Sequence, residues 1–349
     1  MSETGKNKKT AIVLFNLGGP DKPSSVRPFL YNLFSDKWII RAPSFVRYLI
    51  AFFISTTRAK GAIENYNFMG GKSPLLEETD RQKKALDSEL KKQNFSNFKS
   101  FVSMRYWHPF AKEVINELKK YEPDQIVYLP LYPQFSSSTT LSSFEEFDLL
   151  LKKAKINANI KKIGCYFDDK NFISAHIELI KKSIAKFNKE EKFRILFSAH
   201  SIPVKFVEQG DPYQWQIKKT VEAILKDKEL QQHDSQICYQ SKVGPIEWLS
   251  PSTEHVIEEL AKDKINLIIV PIAFVSEHIE TLVELDIEYK QIADKYKIKY
   301  ERVPALGIQN DFIKSLADLV LKSDKTKNEK SNYGSQICPK NFKNCICRK

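Results

Sequence analysis

The chain has 349 residues, 42% of them hydrophobic, and this length predicts about two domains, or one large one, with a sizeable core. Its formal net charge is +12 at pH 7, carried by lysines that are spread along the whole sequence. No helix-turn-helix, zinc-finger or RNP pattern accompanies these lysines, so we expect solvated helix faces and no nucleic-acid partner.

The sequence lacks the patterns of secretion and of membrane crossing. The first ten residues, MSETGKNKKT, are polar and do not form a secretory signal. No run of about 18 uncharged apolar residues occurs, so no spanning helix is expected. We therefore expect a cytoplasmic protein whose five cysteines meet a reducing compartment.

Apolar runs that alternate with helical patterns predict the fold class. The runs that predict buried parallel strands are, in chain order, Ala11–Gly19, Phe98–Tyr106, Gln125–Tyr132, Phe193–Ser201 and Asn266–Val275. The alternation predicts a doubly wound α/β architecture in two similar halves. Ligands of such sheets bind at the carboxyl ends of the strands, so the residues just after these runs are the candidates for a site.

The segment Trp38–Ser55 is too rich in apolar residues for an ordinary surface helix. It is interrupted by Arg41, Pro43 and Arg47, which argues against a membrane span. Ordinary core is one interpretation. The other is a surface that meets a membrane interface or a large flat apolar ligand, with the arginines at anionic groups.

His200 stands at the end of the apolar run Phe193–Ser201, within SAHSIP. An imidazole titrates near neutrality and binds divalent metals when it is neutral. From this strand alone, a structural histidine at the strand end is an equally good interpretation.

Glu280, Glu284 and Glu288 recur every four residues after the run Asn266–Val275. On a helix these carboxylates lie along one face, about 6 Å apart. A solvated acidic face is the usual interpretation of this spacing. Here the first turn, which contains His278 and Glu280, directly follows a buried strand. We therefore expect it at the ligand-binding edge, where packed carboxylates accept protons or attract a dication.

The chain ends in a cysteine-bearing tail. Cys338, Cys345 and Cys347 form a C-x6-C-x-C pattern, and thiolates this close in sequence suit metal ligation. The charged stretch Lys322–Asn332 before them predicts a linker. Cys238 lies in a strand-like run and is interpreted as a buried core thiol.

Seven segments, collinear from Phe15 to Tyr289, resemble the ferrochelatases, the enzymes that insert ferrous iron into a porphyrin. The last segment is too long for chance similarity. The segments are FNLGGP (Phe15–Pro20), MRYWHP (Met104–Pro109), LYPQFSSSTT (Leu131–Thr140), LFSAHSIP (Leu196–Pro203), GDPY (Gly210–Tyr213), YQSKVGPIEWLSP (Tyr239–Pro251) and PIAFVSEHIETLVELDIEY (Pro271–Tyr289).

The resemblance implies an α/β fold of two Rossmann-like, doubly wound halves with the porphyrin in the cleft between them. We expect an N-terminal half at residues 9–165, which includes a substrate-covering lip at residues 38–55. The C-terminal half is expected at residues 166–307. Residues 308–349 are expected to form a helix that packs back, a linker and the short cysteine tail.

The resemblance also implies the roles of the site residues. It places His200 and Glu280 facing each other across the macrocycle, with His200 as proton acceptor and Glu280 as its partner in metal or proton transfer. Glu284 and Glu288 extend this metal-binding set along a helix that has a π-type distortion in the family. The positions that match the porphyrin pocket are occupied by Ile39, Ile40, Arg105, Tyr106, Trp248 and His278.

The activity implied is insertion of Fe²⁺ into protoporphyrin IX, which forms protohaem and releases two protons. The lip implies peripheral contact with the cytoplasmic face of the inner membrane. A coproporphyrin ferrochelatase or another tetrapyrrole chelatase stays an alternative, although the cysteine tail and the long lip favour protoporphyrin IX. A non-catalytic haem or iron carrier is an alternative of another class. A monomer and a homodimer both stay open.

Two features depart from the family pattern. Glu277 stands where many relatives have aspartate, a change that keeps the charge. Asn67 and Phe68 stand where many relatives carry paired arginines, which removes one propionate contact unless Lys72 replaces it.

The cysteines imply a [2Fe–2S] cluster through the same resemblance. Animal relatives use three C-terminal cysteines and one in the loop where this chain has Ser137. Cluster-bearing bacterial relatives combine this tail pattern with a cysteine far upstream. The implied ligands are therefore Cys165, Cys338, Cys345 and Cys347, while a tail of reduced thiols and a bound zinc stay open.

Overall fold

The computed structural model describes residues 8–325, 330–331 and 337–346. Its first sheet is parallel, in the spatial order β2-β1-β3-β4-β9. These strands are β1 (Thr10–Asn16), β2 (Phe98–Met104), β3 (Gln125–Pro130), β4 (Asn159–Ile163) and β9 (Lys330–Ser331).

The second sheet is also parallel and repeats the order of the first four strands, as β6-β5-β7-β8. Each half therefore begins with an inner strand whose successor lies outside it, which is the doubly wound arrangement. The strands are β5 (Phe193–His200), β6 (Ser235–Gln240), β7 (Asn266–Pro271) and β8 (Tyr300–Arg302).

Helices cover both faces of the sheets. They are α1 (Val26–Phe34), α2 (Ser44–Asn67), α3 (Leu75–Lys92), α4 (Ala111–Tyr121), α5 (Ser142–Ala154), α6 (Lys170–Ile184), α7 (Val204–Glu208), α8 (Tyr213–Ile224), α9 (Thr253–Lys262), α10 (Lys290–Tyr296) and α11 (Asn310–Lys325). Two π-helices span Ser137–Leu141 and Glu280–Tyr289, and two short 3₁₀ turns span Pro23–Ser25 and Leu230–Gln232.

Strand β1 shows why its run of apolar residues forms a central strand. Its side chains alternate between two faces, and all of them are buried. Ile12 and Leu14 belong to a core that includes Leu86 of α3, whereas Val13 packs in a core that includes Val114 of α4. A strand that is covered on both faces needs apolar residues throughout, so its sequence does not alternate.

All five predicted strands are confirmed, as β1, β2, β3, β5 and β7. The strands β4, β6, β8 and β9 are not among these five runs. The predicted start of the linker at Lys322 is wrong, because α11 continues to Lys325 and packs against α3, α6, β3 and β4.

The lip becomes a turn followed by the first half of α2. The exposed face of this helix carries large apolar side chains, with Phe45 71% exposed and Phe53 69% exposed. Within residues 8–325, 330–331 and 337–346, no helix is both long and apolar enough to cross a membrane.

Candidate active site

The candidate site forms where two neighbouring strands end. His200 is the last residue of β5, and Gln240, the last residue of β6, is its partner in the parallel register. The carboxyl ends of these strands face the π-helix Glu280–Tyr289, which follows β7. Fold topology thus brings together residues that lie far apart in the sequence.

His200 and Glu280 form a hydrogen-bonded ion pair. The Nδ1 atom of His200 lies 2.7 Å from Oε2 of Glu280, and the hydroxyl of Ser241 donates to the same oxygen at 3.1 Å. The backbone carbonyl of His200 accepts a hydrogen bond from the Tyr213 hydroxyl at 3.0 Å. The ring is therefore fixed by its carboxylate partner and its backbone by Tyr213, while 39% of the side chain stays exposed.

Each member of this pair sets the charge of the other. Burial opposes the charged form of Glu280, but His200 outweighs it and lowers the pKa of Glu280 to about 2. Burial likewise lowers the pKa of His200, but the charge and the hydrogen bond of Glu280 outweigh it, and the net effect raises that pKa. The contact therefore favours the imidazolium form of His200 and the carboxylate form of Glu280.

The structure shows His200 and Glu280 in direct contact, which differs from the expected placement across a macrocycle. A flat ring between them would need about 3.5 Å of contact distance on each side. The 2.7 Å hydrogen bond leaves no such space.

The π-helix carries the three glutamates away from His200. Its i→i+5 winding brings residues four apart closer to one line, as expected from the family. The carboxylate of Glu284 accepts hydrogen bonds from Gln240 at 3.0 Å and from Tyr289 at 2.7 Å. Glu288 is exposed, and burial together with the like charges of Glu284 and Glu254 raises its pKa. These three glutamates, Glu280, Glu284 and Glu288, are called the glutamate ladder, and they run from the half-buried pair to the surface.

The predicted metal-binding set of four does not form a closed site. In the described parts of the chain, no group of three or more His, Cys, Asp or Glu side chains could hold a metal ion. The reason is local, because Glu284 is turned toward Gln240 and Ser241, and only Glu280 meets His200.

The π-helix is held by an arginine that sequence reasoning missed. Arg302, at the end of β8, donates to both oxygens of Asp286, at 2.8 and 2.6 Å, and to Glu277. The two acids flank Glu280 in sequence. Burial favours the neutral form of Glu277, but Arg302 outweighs it and the pKa of Glu277 is lowered. No short-range pattern could have linked Arg302 to this helix.

Arg105 and Tyr106 are expected in the pocket, but the structure engages them elsewhere. Arg105 pairs with Asp36 at 3.0 Å and with Glu146 at 3.1 Å. Tyr106 is 0% exposed, and its hydroxyl donates to Asp36 at 2.8 Å. Asp36 in turn accepts from the backbone N–H of Trp38 at 2.8 Å, so both residues are linked through Asp36 to the start of the lip.

The other predicted pocket residues lie on different elements, and His278 among them approaches Glu280. Ile39 and Ile40 are half-buried in the turn of the lip. His278 is buried, with Nε2 3.9 Å from Oε1 of Glu280 and its ring against Phe274. The backbone of Trp248 bridges to Pro203, and its buried Nε1 has no hydrogen-bond partner within the described part of the chain.

Three of the four predicted cluster cysteines share one buried core, but they do not form a metal-holding group among the described residues. Cys165, Cys338 and Cys345 are buried in one apolar core, against side chains that include Phe342. Nε2 of Gln216 lies 3.7 Å from the sulfurs of both Cys165 and Cys338. Cys347 lies outside the described residues.

Comparison with known proteins identifies the family. The family model described as Ferrochelatase matches residues 9–324. The ferrochelatase of Rickettsia felis is 52% identical over 345 residues, which cover 98% of this chain and 98% of that protein. The ferrochelatase of Pelagibacter ubique is 45% identical over 342 residues, which cover 97% and 98%. The solved structure of SirB from Bacillus subtilis with Fe3+ is similar in fold alone, with a TM-score of 0.52 and 13% identity over 91% of this chain and 96% of that one. The chain therefore belongs to the ferrochelatase family.

Proposed function

We propose that this protein inserts Fe²⁺ into protoporphyrin IX, with release of two protons, to form protohaem. The observation that carries the proposal is the hydrogen bond between His200 and Glu280 at the carboxyl end of β5. Metal insertion must remove protons from two pyrrole nitrogens and strip the metal of water, and an imidazole beside a carboxylate can do both.

The geometry divides the work between the two side chains. Nδ1 of His200 is committed to Glu280, so Nε2 is the atom left to meet the substrate. The imidazolium must first lose its Nε2 proton, after which it can accept one from a pyrrole nitrogen. Glu280 stays ionised throughout and stabilises the imidazolium each time it forms.

The glutamate ladder supplies a route between the pair and the solvent. Glu284 is held by neutral donors, and Glu288 is exposed with a raised pKa. Carboxylates in this arrangement attract Fe²⁺ at the surface and drain protons outward. Since the ladder and His200 meet at Glu280, iron and protons use the same side of the ring.

The test is anaerobic insertion of Fe²⁺ into protoporphyrin IX and coproporphyrin III side by side. We expect faster insertion into protoporphyrin IX, whereas a preference for coproporphyrin III would assign the alternative substrate. His200→Ala should fold normally and lose insertion, whereas exposed His255→Ala should keep it. Turnover near that of the unaltered protein in His200→Ala would remove the proposed chemistry.

We propose further that the protein lies in the cytoplasm, with the lip on the inner face of the cytoplasmic membrane. The exposed apolar face of α2 supports this, as does Arg27 beside Phe52 at its border. Apolar side chains enter the headgroup region while arginines meet anionic lipids. A homodimer stays a prediction, which the sedimentation behaviour of the purified protein tests.

We also propose a [2Fe–2S] cluster on Cys165, Cys338, Cys345 and Cys347. What supports the proposal is the shared buried core of the first three and the amide of Gln216 near two of their sulfurs. When bound, it would supply a redox-active centre. Anaerobically purified protein should be coloured, Cys165→Ser should lose the colour, and buried Cys238→Ser should keep it. A colourless, iron-free sample of the unaltered protein would contradict the cluster.

A further inference from the structure

One arginine of the lip reaches across to the C-terminal half. Nη2 of Arg41 donates to the hydroxyl of Ser137 at 2.8 Å, and Nη1 donates to the side chain of Gln209. Its guanidinium lies 3.6 Å from the ring centroid of Phe206, on α7. Arg41 thus holds the turn of the lip against the segment 206–211, which follows His200 in the chain.

The same segment is packed against the C-terminal cysteine segment, residues 337–346. The side chain of Asn344 donates to the carbonyl of Gln209 at 3.2 Å. Gly210 has φ +89°, and a Cβ there would lie 3.0 Å from backbone atoms of both Asn341 and Lys343. Only glycine allows this approach, so the segment and the cysteine tail meet backbone to backbone.

A second contact joins the lip to the tail. Trp38 packs against the apolar core that contains Cys165, Cys338 and Cys345. Close by, Ser137 donates to buried Asp211 at 2.6 Å, which fixes the hydroxyl that Arg41 uses. The lip therefore shares an apolar core with the tail through Trp38 and is linked to it through Arg41 and Gln209.

We propose that Arg41 is a positioning residue that couples the lip to the C-terminal cysteine segment, so that the packing of this segment sets the position of the lip over the porphyrin. The proposal rests on the proposed function of the lip as the substrate cover. Loosening of the tail would then weaken porphyrin binding while the chemistry at His200 is left intact.

The test is a double-mutant cycle between Arg41→Gln and Asn344→Ala. Asn344 is half-buried and its bond to Gln209 is solvent-exposed, so circular dichroism of Asn344→Ala checks that the fold is kept. Arg41→Gln should raise the KM for porphyrin about fivefold with kcat unchanged, and Asn344→Ala about threefold. Because both act through Gln209, the double variant should resemble Arg41→Gln alone.

Arg47→Gln is the matched control for the cycle. Arg47 lies in the same lip but donates to Ser35, Ala42 and Ser44, all of which belong to the lip or its approach. The effects of Arg47→Gln and Asn344→Ala on the KM for porphyrin should therefore be independent, so that the double variant shows their product. Multiplicative effects in the Arg41 cycle as well would overturn the coupling.

Hydrogen exchange of the lip supplies a readout that needs no activity. The amides of Ile39 and Ile40 are bonded to the carbonyl of Asp36 at 3.1 and 2.9 Å. We expect Asn344→Ala to speed their exchange, as Arg41→Gln does. Unchanged exchange in Asn344→Ala would overturn the inference even if insertion is normal. If the unaltered protein does not insert iron, the proposed function is wrong. The hydrogen-exchange experiment still tests the coupling in that case.

Discussion

Glu280 accepts a hydrogen bond from Nδ1 of His200 at 2.7 Å, and this contact makes two half-buried groups charged where burial alone would neutralise both. His200 therefore holds a proton beside Glu280, which stays ionised. A base in this state works only after its proton has left, so pH controls when His200 can act.

The first prediction concerns the pKa of His200. In Glu280→Gln the charge that raises it is gone while burial remains, so the pKa should fall below that of the unaltered protein. NMR titration of the imidazole in metal-free protein measures this, with His200→Ala to assign the signal. In the unaltered enzyme, the insertion rate should rise with pH through the raised pKa, since only neutral imidazole accepts a proton.

Glu288→Gln is the control for this titration. Glu288 lies at the exposed end of the ladder, so its loss should move the pKa of His200 far less than the loss of Glu280. Equal shifts in the two variants would mean that the general field of the ladder, and not the hydrogen bond, sets the pKa.

The second prediction concerns Arg302 as a positioning residue. Arg302→Gln removes the clamp between Glu277 and Asp286, so the π-helix loses the register that aims Glu280 at His200. We expect kcat to fall about tenfold with the KM for porphyrin nearly unchanged. Steady-state kinetics checks the split, and circular dichroism checks that the fold is kept.

Two variants separate positioning from general stability. Arg302→Lys keeps one charged donor and should recover part of kcat. Arg194, at the start of β5, forms another arginine–aspartate pair of the same half, with 3.3 Å between its Nη2 and Oδ2 of Asp234. Arg194→Gln removes this pair and should leave kcat unchanged. An Arg302→Gln variant whose loss lies wholly in KM would argue against positioning of Glu280.

The sequence predicts the long apolar strands of this fold better than the short or polar ones. The strands β1, β3, β5 and β7 need apolar residues because helices cover both faces. The strand β4, with the sequence NIKKI, and the three-residue β8 lack that pattern because they are short and only partly buried. They form strands because they pair with an adjacent strand of the sheet, and the local sequence carries no information about that pairing.

The site was predictable only where chemistry coincides with a strand end. His200 follows an apolar run, and so it could be found. The donors from Gln240 and Ser241 and the clamp of Arg302 depend on contacts between distant segments. Arg105 shows what a motif match leaves out. Its position matches the family pattern, but the motif does not show that its guanidinium forms ion pairs with Asp36 and Glu146.

The third prediction concerns membrane contact of the lip. Phe45 and Phe53 are more than two-thirds exposed on α2, so the variant with both changed to serine should bind anionic lipid vesicles at least about tenfold more weakly. Vesicle co-sedimentation measures this. Leu149→Ser, which changes an exposed apolar residue on α5, is the matched control and should bind as the unaltered protein does. Equal binding of all three proteins would rule out the lip as the contact surface.

The last prediction concerns acid stability and His176. This histidine of α6 is buried against Phe172, its Nε2 has no hydrogen-bond partner within the described residues, and burial lowers its pKa to about 3. The unfolded chain takes up the proton near the ordinary pKa of about 6.5, while the folded protein does not. Between these values His176 therefore lowers the free energy of unfolding as pH falls, by about 1.4 kcal/mol per pH unit.

His176→Phe should remove this dependence, so the variant should lose less stability than the unaltered protein between about pH 6.5 and about pH 4. Urea unfolding at several pH values measures the difference, in which the titration of all other groups cancels. The exposed His255→Phe should follow the unaltered protein over the same range. Parallel stability curves for His176→Phe and the unaltered protein would mean that solvent reaches His176 in the folded state and protonates it there.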